Sequence, residues 1–355
     1  MNRTSRYVSA FSAVAAVALL GYLLRRAGMS TVVHAVRLMG LGLVVLIVLS
    51  GVRHCLRAIA WRCCVDPGAQ PQGFLKLFSL RLIGESVTDL SPAGPFLGEA
   101  VKAWAASKSI TAKFGVTSVV IEDLIYSLGT GLFVLAGFVI LLVSTANKHN
   151  LLKSGAAMIL SAVSLFGVAV AAAKGNLLRT IYFRLQNTRR GQALIARYGQ
   201  TVRTWGTLVQ DSFQTRRNLL LSVLSIEILV NVISLGETYL ILQGTTAHAS
   251  YMYAYLVESA NRCAQLVASF VPFGLGVDEG TTTAALHSLG RTLSEGVSVA
   301  TIRKLRSIFW DLIGLGLAAH FLIASRARDP ALSLATDQRE SAPAAPKIAL
   351  TERIP

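Results

Sequence analysis

Ser91-Pro92-Ala93-Gly94-Pro95-Phe96-Leu97-Gly98-Glu99 sets two prolines and two glycines into an otherwise apolar stretch and ends on an acid. A related stretch lies far downstream: Pro272-Phe273-Gly274-Leu275-Gly276-Val277-Asp278-Glu279. Both hold a Pro-Phe step, then Leu-Gly, then a carboxylate. Both are followed at nearly the same distance by a charged residue inside a hydrophobic span, Glu122 after the first and Arg303 after the second. Proline removes a backbone donor and glycine adopts conformations that helices avoid, so each stretch reads as a break between two helical arms. The breaks are assigned to Pro92, Pro95 and Gly98 in the first stretch and to Pro272, Gly274 and Gly276 in the second. These are the expected centres of two related halves.

The rest of the chain sets the solvent. Of 355 residues, 53% are hydrophobic and only 15% are charged, against about 25% charged in soluble domains. Apolar windows of about 20 residues recur, the length that crosses a bilayer as a helix. The fold expected is all-α: a polytopic transmembrane helical bundle with about six full spans and two re-entrant helical hairpins. The net charge of +16 does not point to nucleic acid, because the basic residues flank apolar spans, as loops on the cytoplasmic side do. Anionic lipid headgroups are their natural partner. Cys55, Cys63, Cys64 and Cys263 form no CxxC pair and the histidines show no ligand spacing, so neither a metal nor a disulfide framework is expected.

In chain order, full spans are expected at 7–24, 38–61, 117–144, 154–173, 218–242 and 297–324. Residues 74–107 and 251–289 form the two hairpins. Residues 174–217 carry nine Lys or Arg against the single acid Asp211. Ile195, Tyr198, Val202, Trp205 and Val209 fall near one helical face there, so this linker is expected to lie on the cytoplasmic surface. The transmembrane domain is thus 1–325, with halves at 38–173 and 218–324, and a disordered cytoplasmic tail at 326–355. Placing the basic linker inside makes the first hairpin dip from the cytoplasm and the second from the opposite face, an inverted-topology repeat. The alternative is that 251–270 crosses fully and the tail lies outside.

These motifs resemble those of the flippase-like membrane proteins that include the transmembrane region of lysylphosphatidylglycerol synthases and the hopanoid-biosynthesis-associated membrane proteins. The residues that carry the resemblance are Pro95 to Glu99, Glu122, Pro272 to Glu279, Leu289-Gly290 and Arg303. Family members often have Glu-Arg where this chain has Glu122-Asp123. The resemblance implies translocation of a lipid or lipid-linked group at a cell inner membrane. The substrate would be an anionic or zwitterionic phospholipid, a hopanoid or a polyprenyl-linked lipid, and a lipid-biosynthesis enzyme is a possible partner. It implies no synthase activity, because no soluble transferase domain follows the last span.

Charged side chains within a membrane cost about 2.5–3.5 kcal/mol each on insertion scales and tend to be paired and functional. The substrate-binding set expected on that ground is Glu99, Glu122, Asp123, Glu279, Arg303 and Arg306. Glu122 and Arg303 occupy corresponding places in the two halves, where they would pair across the centre or hold opposite ends of a headgroup. An arginine grips phosphate bidentately. Glu99 and Glu279 stand near helix starts, where a carboxylate can equally serve as a cap. Lys304 and Arg306 read as well as anchors at the interface. Glu227 and Asn231 share a helix face, suited to a polar centre or to bonding between helices. No nucleophile beside a base is recognisable, so no catalytic residue, no cofactor and no enzymatic activity are expected. Two other roles stay open: a lipid-modifying membrane enzyme, and a non-catalytic member of a lipid-biosynthetic complex.

Overall fold

The computed structural model describes residues 36–66, 73–91, 94–107, 112–144, 189–246, 249–267 and 276–327, with isolated positions at 33, 69, 163, 167 and 271. The spans expected at 7–24 and 154–173, most of the 326–355 tail, and the break residues Pro92, Pro272 and Gly274 lie outside the described residues. Among those described, the regular structure is entirely helical. The helices are α1 (Leu41–Cys64), α2 (Phe74–Leu90), α3 (Gly94–Ser107), α4 (Ala112–Ser144), α5 (Arg189–Thr215), α6 (Arg217–Thr245), α7 (Tyr251–Val267), α8 (Val277–Ser288) and α9 (Leu293–Ala327).

Leu41–Cys64, Phe114–Ile140 and Arg217–Thr245 are long and apolar enough to cross a membrane. Helix α9 is longer still at 35 residues, or about 52 Å at 1.5 Å per residue, with charges gathered on its buried side. The bundle buries charged side chains among its apolar core clusters and also turns an apolar face outward. Val44, Val48 and Val52 of α1, Ile228, Leu229 and Val232 of α6, and Phe309, Leu312 and Ile313 of α9 are all exposed. Glu122, Glu227 and Glu237 have no exposed surface. Such an outer face is stable against hydrocarbon, and helices satisfy their own backbone groups there.

The arms α2 and α7 contain 17 residues each, α3 contains 14 and α8 contains 12. At roughly 18–26 Å, each is shorter than the hydrocarbon core of about 30 Å. In the first hairpin Leu90 ends α2 and Gly94 opens α3 in the left-handed region, at φ 50°. Pro95 and Gly98 therefore lie inside α3, not in the break. Proline is tolerated in a first turn because its missing N–H has no partner there. Gly98 serves close packing instead: a Cβ at that position would sit 1.8 Å from Thr88 Oγ1 and 2.6 Å from the Gly84 carbonyl oxygen. In the second hairpin Gly276 takes φ 79° just before α8, and its N–H donates to Glu279 Oε2 at 2.7 Å. Glu279 is thus the capping carboxylate that the sequence leaves open.

The main packing contacts come in matched sets. α1 packs on α2, as α6 packs on α7. α2 packs on α3 and α3 on α4, as α7 packs on α8 and α8 on α9. α2 also packs on α9 while α7 packs on α4, and α4 meets α6 while α9 meets α1. The centre of this exchange is the contact between α1 and α6. Helix α5 lies beside α4 and α6, where Val209 joins Ala60, Cys64, Ile121 and Val223 in an apolar cluster. Arg216, between α5 and α6, donates to the Cys63 and Val65 carbonyls and so ties the end of α1 to this corner.

Candidate functional site

Two ionic networks occupy the interior. In the first, Glu122 of α4 is the hub. Its Oε1 accepts from Arg81 Nη1 of α2 at 2.8 Å, and its Oε2 accepts from Lys102 Nζ of α3 at 2.9 Å. Lys102 also meets Glu99 at 2.6 Å and Asp123 at 3.9 Å. Arg81 reaches Glu85, one turn along its own helix, at 3.3 Å. The Arg57 guanidinium from α1 lies over the Tyr126 ring, 3.8 Å from Glu122 and 3.9 Å from both Glu85 and Glu227. Trp61 walls this network beside Lys102 and donates to Ser118 Oγ at 3.1 Å.

In the second network the hub is Glu258 of α7. Its Oε1 accepts from Ser234 at 2.7 Å and from Arg262 at 3.2 Å. Its Oε2 accepts from Arg303 of α9 at 2.7 Å and from Thr238 at 3.1 Å. Beside it, Glu237 of α6 binds Arg306 of α9 and lies 3.4 Å from Arg53 of α1. Asn261 and Thr282 join α7 to α8 at 2.9 Å. Lys304 reaches Asp278 at 3.5 Å and Glu279 at 3.9 Å.

The two networks share a register and exchange their signs. Arg81 and Glu85 are the eighth and twelfth residues of α2, and Glu258 and Arg262 are the eighth and twelfth of α7. Glu122 and Asp123 are the eleventh and twelfth residues of α4, and Arg303 and Lys304 are the eleventh and twelfth of α9. A base on the short arm meets an acid on the long helix in one half, and the reverse pair forms in the other.

This arrangement removes one of the two options stated for Glu122 and Arg303. They do not pair with each other; each is neutralised within its own half. Arg306 is not an interface anchor either, being 7% exposed and bound to Glu237. Glu99 and Asp123 are peripheral to Glu122, about a third exposed (33% and 35%), and share its neighbour Lys102. The carboxylate oxygens of Glu99, Glu122 and Asp123 lie within 4.8 Å of one another, a spacing that suits a bound cation. The Lys102 ammonium already provides the positive charge there.

A family model, the lysylphosphatidylglycerol synthase TM region, matches residues 9–314. The chain belongs to that family. Neither the curated proteins nor the solved structures yield a match. The match spans both networks and all the described helices except the end of α9, so the paired architecture described above lies within the family's own region.

Within this family member, Arg81, Lys102, Arg57, Glu237 and Glu258 carry as much of the ionic structure as the residues singled out from sequence. A signal for two of them was present. Arg81 interrupts the run Leu80-Arg81-Leu82-Ile83, and Glu258 with Arg262 forms an opposite-charge step of four in a half-apolar helix. Lys102 had no comparable local mark.

Proposed function

We propose that this family member is a lipid transporter of the inner membrane. A phospholipid-type headgroup crosses along the two networks while its acyl chains stay in the bilayer. In this reading the hairpins α2–α3 and α7–α8 are re-entrant and the halves form an inverted repeat. The observation that carries it is the opposed ion pairs, Arg81–Glu122 and Glu258–Arg303, buried in equal register inside a bundle whose outer face is apolar. A static core gains little from such pairs, since hydrophobic residues of similar volume are often as stable. Pairs that exchange partners with a charged headgroup give the burial a use. Glu122, Glu237 and Glu258 are each bound to cationic side chains, which weakens them as bases, including Glu258 beside the Ser234 and Thr238 hydroxyls, and so supports a transporter over an enzyme.

The test is reconstitution into vesicles of phosphatidylethanolamine and phosphatidylglycerol with a trace of headgroup-labelled phosphatidylethanolamine in the inner leaflet. Protein-dependent appearance of the label on the outer face is expected, and Arg303→Ala should abolish it at equal protein content. Failure of the parent chain to move any of several labelled headgroups would defeat the proposal, and an altered lipid in the extract would replace it with the enzyme reading.

A further inference from the structure

Glu227 stands out among the buried acids. It has no exposed surface, and neither carboxylate oxygen has a hydrogen-bond partner among the described residues. Glu122, Glu237 and Glu258 lie as deep, and each of them is held directly by a guanidinium or an ammonium. The nearest cation to Glu227 is Arg57 Nε at 3.9 Å, beyond hydrogen-bond length. That nitrogen is itself buried and unpartnered. One turn along, Asn231 spends its amide N–H on the Glu227 backbone carbonyl at 2.9 Å and leaves its Oδ1 buried without a partner.

Among the described residues, the buried Cys64 thiol of α1 is an uncharged titratable neighbour of Glu227. Charged groups face Glu227 from α1 (Arg57), α2 (Arg81), α4 (Glu122) and α7 (Arg262). Helix α9 brings Arg303 and Arg306 to Thr238 and Glu237, further along α6, and α5 meets α6 through Val209 and Phe213. An ionised carboxylate without hydrogen bonds is costly in such a place, and the cheaper state of an isolated buried acid is the neutral one. The Arg57 guanidinium sits between Glu85, Glu122 and Glu227 at 3.8–3.9 Å from each, committed to none. Closing any one of those gaps to hydrogen-bond length takes about 1 Å.

We propose that Glu227 is a proton-binding site, occupied in the conformation described here, and that release of its proton draws Arg57 onto Glu227 and away from Glu85 and Glu122. In that step the carboxyl O–H bond breaks, the proton passes to water, and the bonding pair stays on the carboxylate. Arg57 then neutralises the new charge. Glu122 loses one of its three cations and is left to Arg81 and Lys102, which loosens the first network. The proton would thereby drive the headgroup movement proposed above; the site itself stands without that reading.

The experiment uses the full chain in phosphatidylethanolamine and phosphatidylglycerol vesicles, with the proton as probe. The infrared difference spectrum between acid and alkaline buffer should contain the C=O stretch of a protonated carboxyl. Glu227→Gln should remove that band, Glu227→Asp should shift it, and Asp211→Asn on α5 should leave it in place. A band unchanged in Glu227→Gln overturns the proposal. If that variant does not fold, an unshifted band in Glu227→Asp overturns it instead. A spectral change produced by sodium at fixed pH, and not by pH, also overturns it. Movement of headgroup-labelled phosphatidylethanolamine is measured separately in the same vesicles under an imposed pH gradient. The Glu227 band without lipid movement supports the proton site and defeats the transport reading; lipid movement without the band does the reverse.

Discussion

Two adjacent acids should behave very differently when neutralised. Glu122 is fully buried and accepts from Arg81 and Lys102, with Arg57 at 3.8 Å. Asp123 follows it in sequence, is 35% exposed and reaches Lys102 only at 3.9 Å. Removing one partner from a buried ion pair costs about 3–5 kcal/mol, because the opposite charge is left uncompensated. An exposed pair contributes about 0–1 kcal/mol. Glu122→Gln keeps one amide oxygen as an acceptor but leaves the buried Arg81 and Lys102 only the partly exposed Glu85 and Glu99 as close acidic partners, so it should fall in the first range, toward its lower end. That is roughly a hundred- to several-thousand-fold in the unfolding equilibrium. Asp123→Asn should fall in the second. Reversible unfolding in maltoside micelles by added dodecyl sulfate, followed by tryptophan fluorescence, measures both; Trp61 beside Lys102 reports on this network. If Glu122→Gln unfolds within about 1 kcal/mol of the parent, or Asp123→Asn is the more damaging change, the hub assignment is wrong.

Other substitutions probe separate features. Gly98→Ala places a methyl group 1.8 Å from Thr88 Oγ1 and 2.6 Å from the Gly84 carbonyl; it should destabilise by about 1–3 kcal/mol through overpacking in the same micelle assay, and pairing it with Thr88→Ala should restore only part of the loss. Gly276→Ala meets no atom within 4 Å but keeps φ at 79°, so its cost should be the left-handed penalty of about 1–2 kcal/mol, and Gly276→Asn should cost less. Arg216→Ala removes donors from the Cys63 and Val65 carbonyls; amide exchange at 63–66 should rise while exchange in α6 stays slow. In a double-mutant cycle, Glu258→Gln and Arg303→Met should show a coupling of about 0.5–3 kcal/mol, as expected for residues in direct contact, whereas Glu122→Gln and Arg303→Met should be additive within about 0.5 kcal/mol.

Much of the fold was legible because hydrophobic runs, proline and glycine act locally. The spans expected at 38–61, 117–144 and 218–242 correspond to α1, α4 and α6, which are long and apolar enough to cross a membrane, and the stretch 297–324 lies within helix α9. The segments expected at 74–90 and 251–270 begin at the residues that open α2 and α7, and α2 also ends where expected. The break after α2 starts at Ser91 as expected but is shorter than expected, because Pro95 and Gly98 carry the composition of a loop while sitting in a first turn and at a helix crossing. Which charge meets which was not legible. Glu122 and Arg303 correspond in sequence, yet Arg81 and Glu258 lie closer to them in space, from helices 41 and 45 residues away in the chain. Lys102 shows the limit best: nothing in Val101-Lys102-Ala103 distinguishes a solvated lysine from the ammonium that three carboxylates surround.

The exchange of sign between the halves has an electrical consequence. If the second half is the first turned over in the membrane with its charges unchanged, the small dipoles of equivalent ion pairs oppose each other along the bilayer normal. Reversing the signs in one half makes those components add. With the halves inverted as proposed, Arg81–Glu122 and Glu258–Arg303 point the same way across the bilayer, and a voltage between the two aqueous compartments acts on both in one sense.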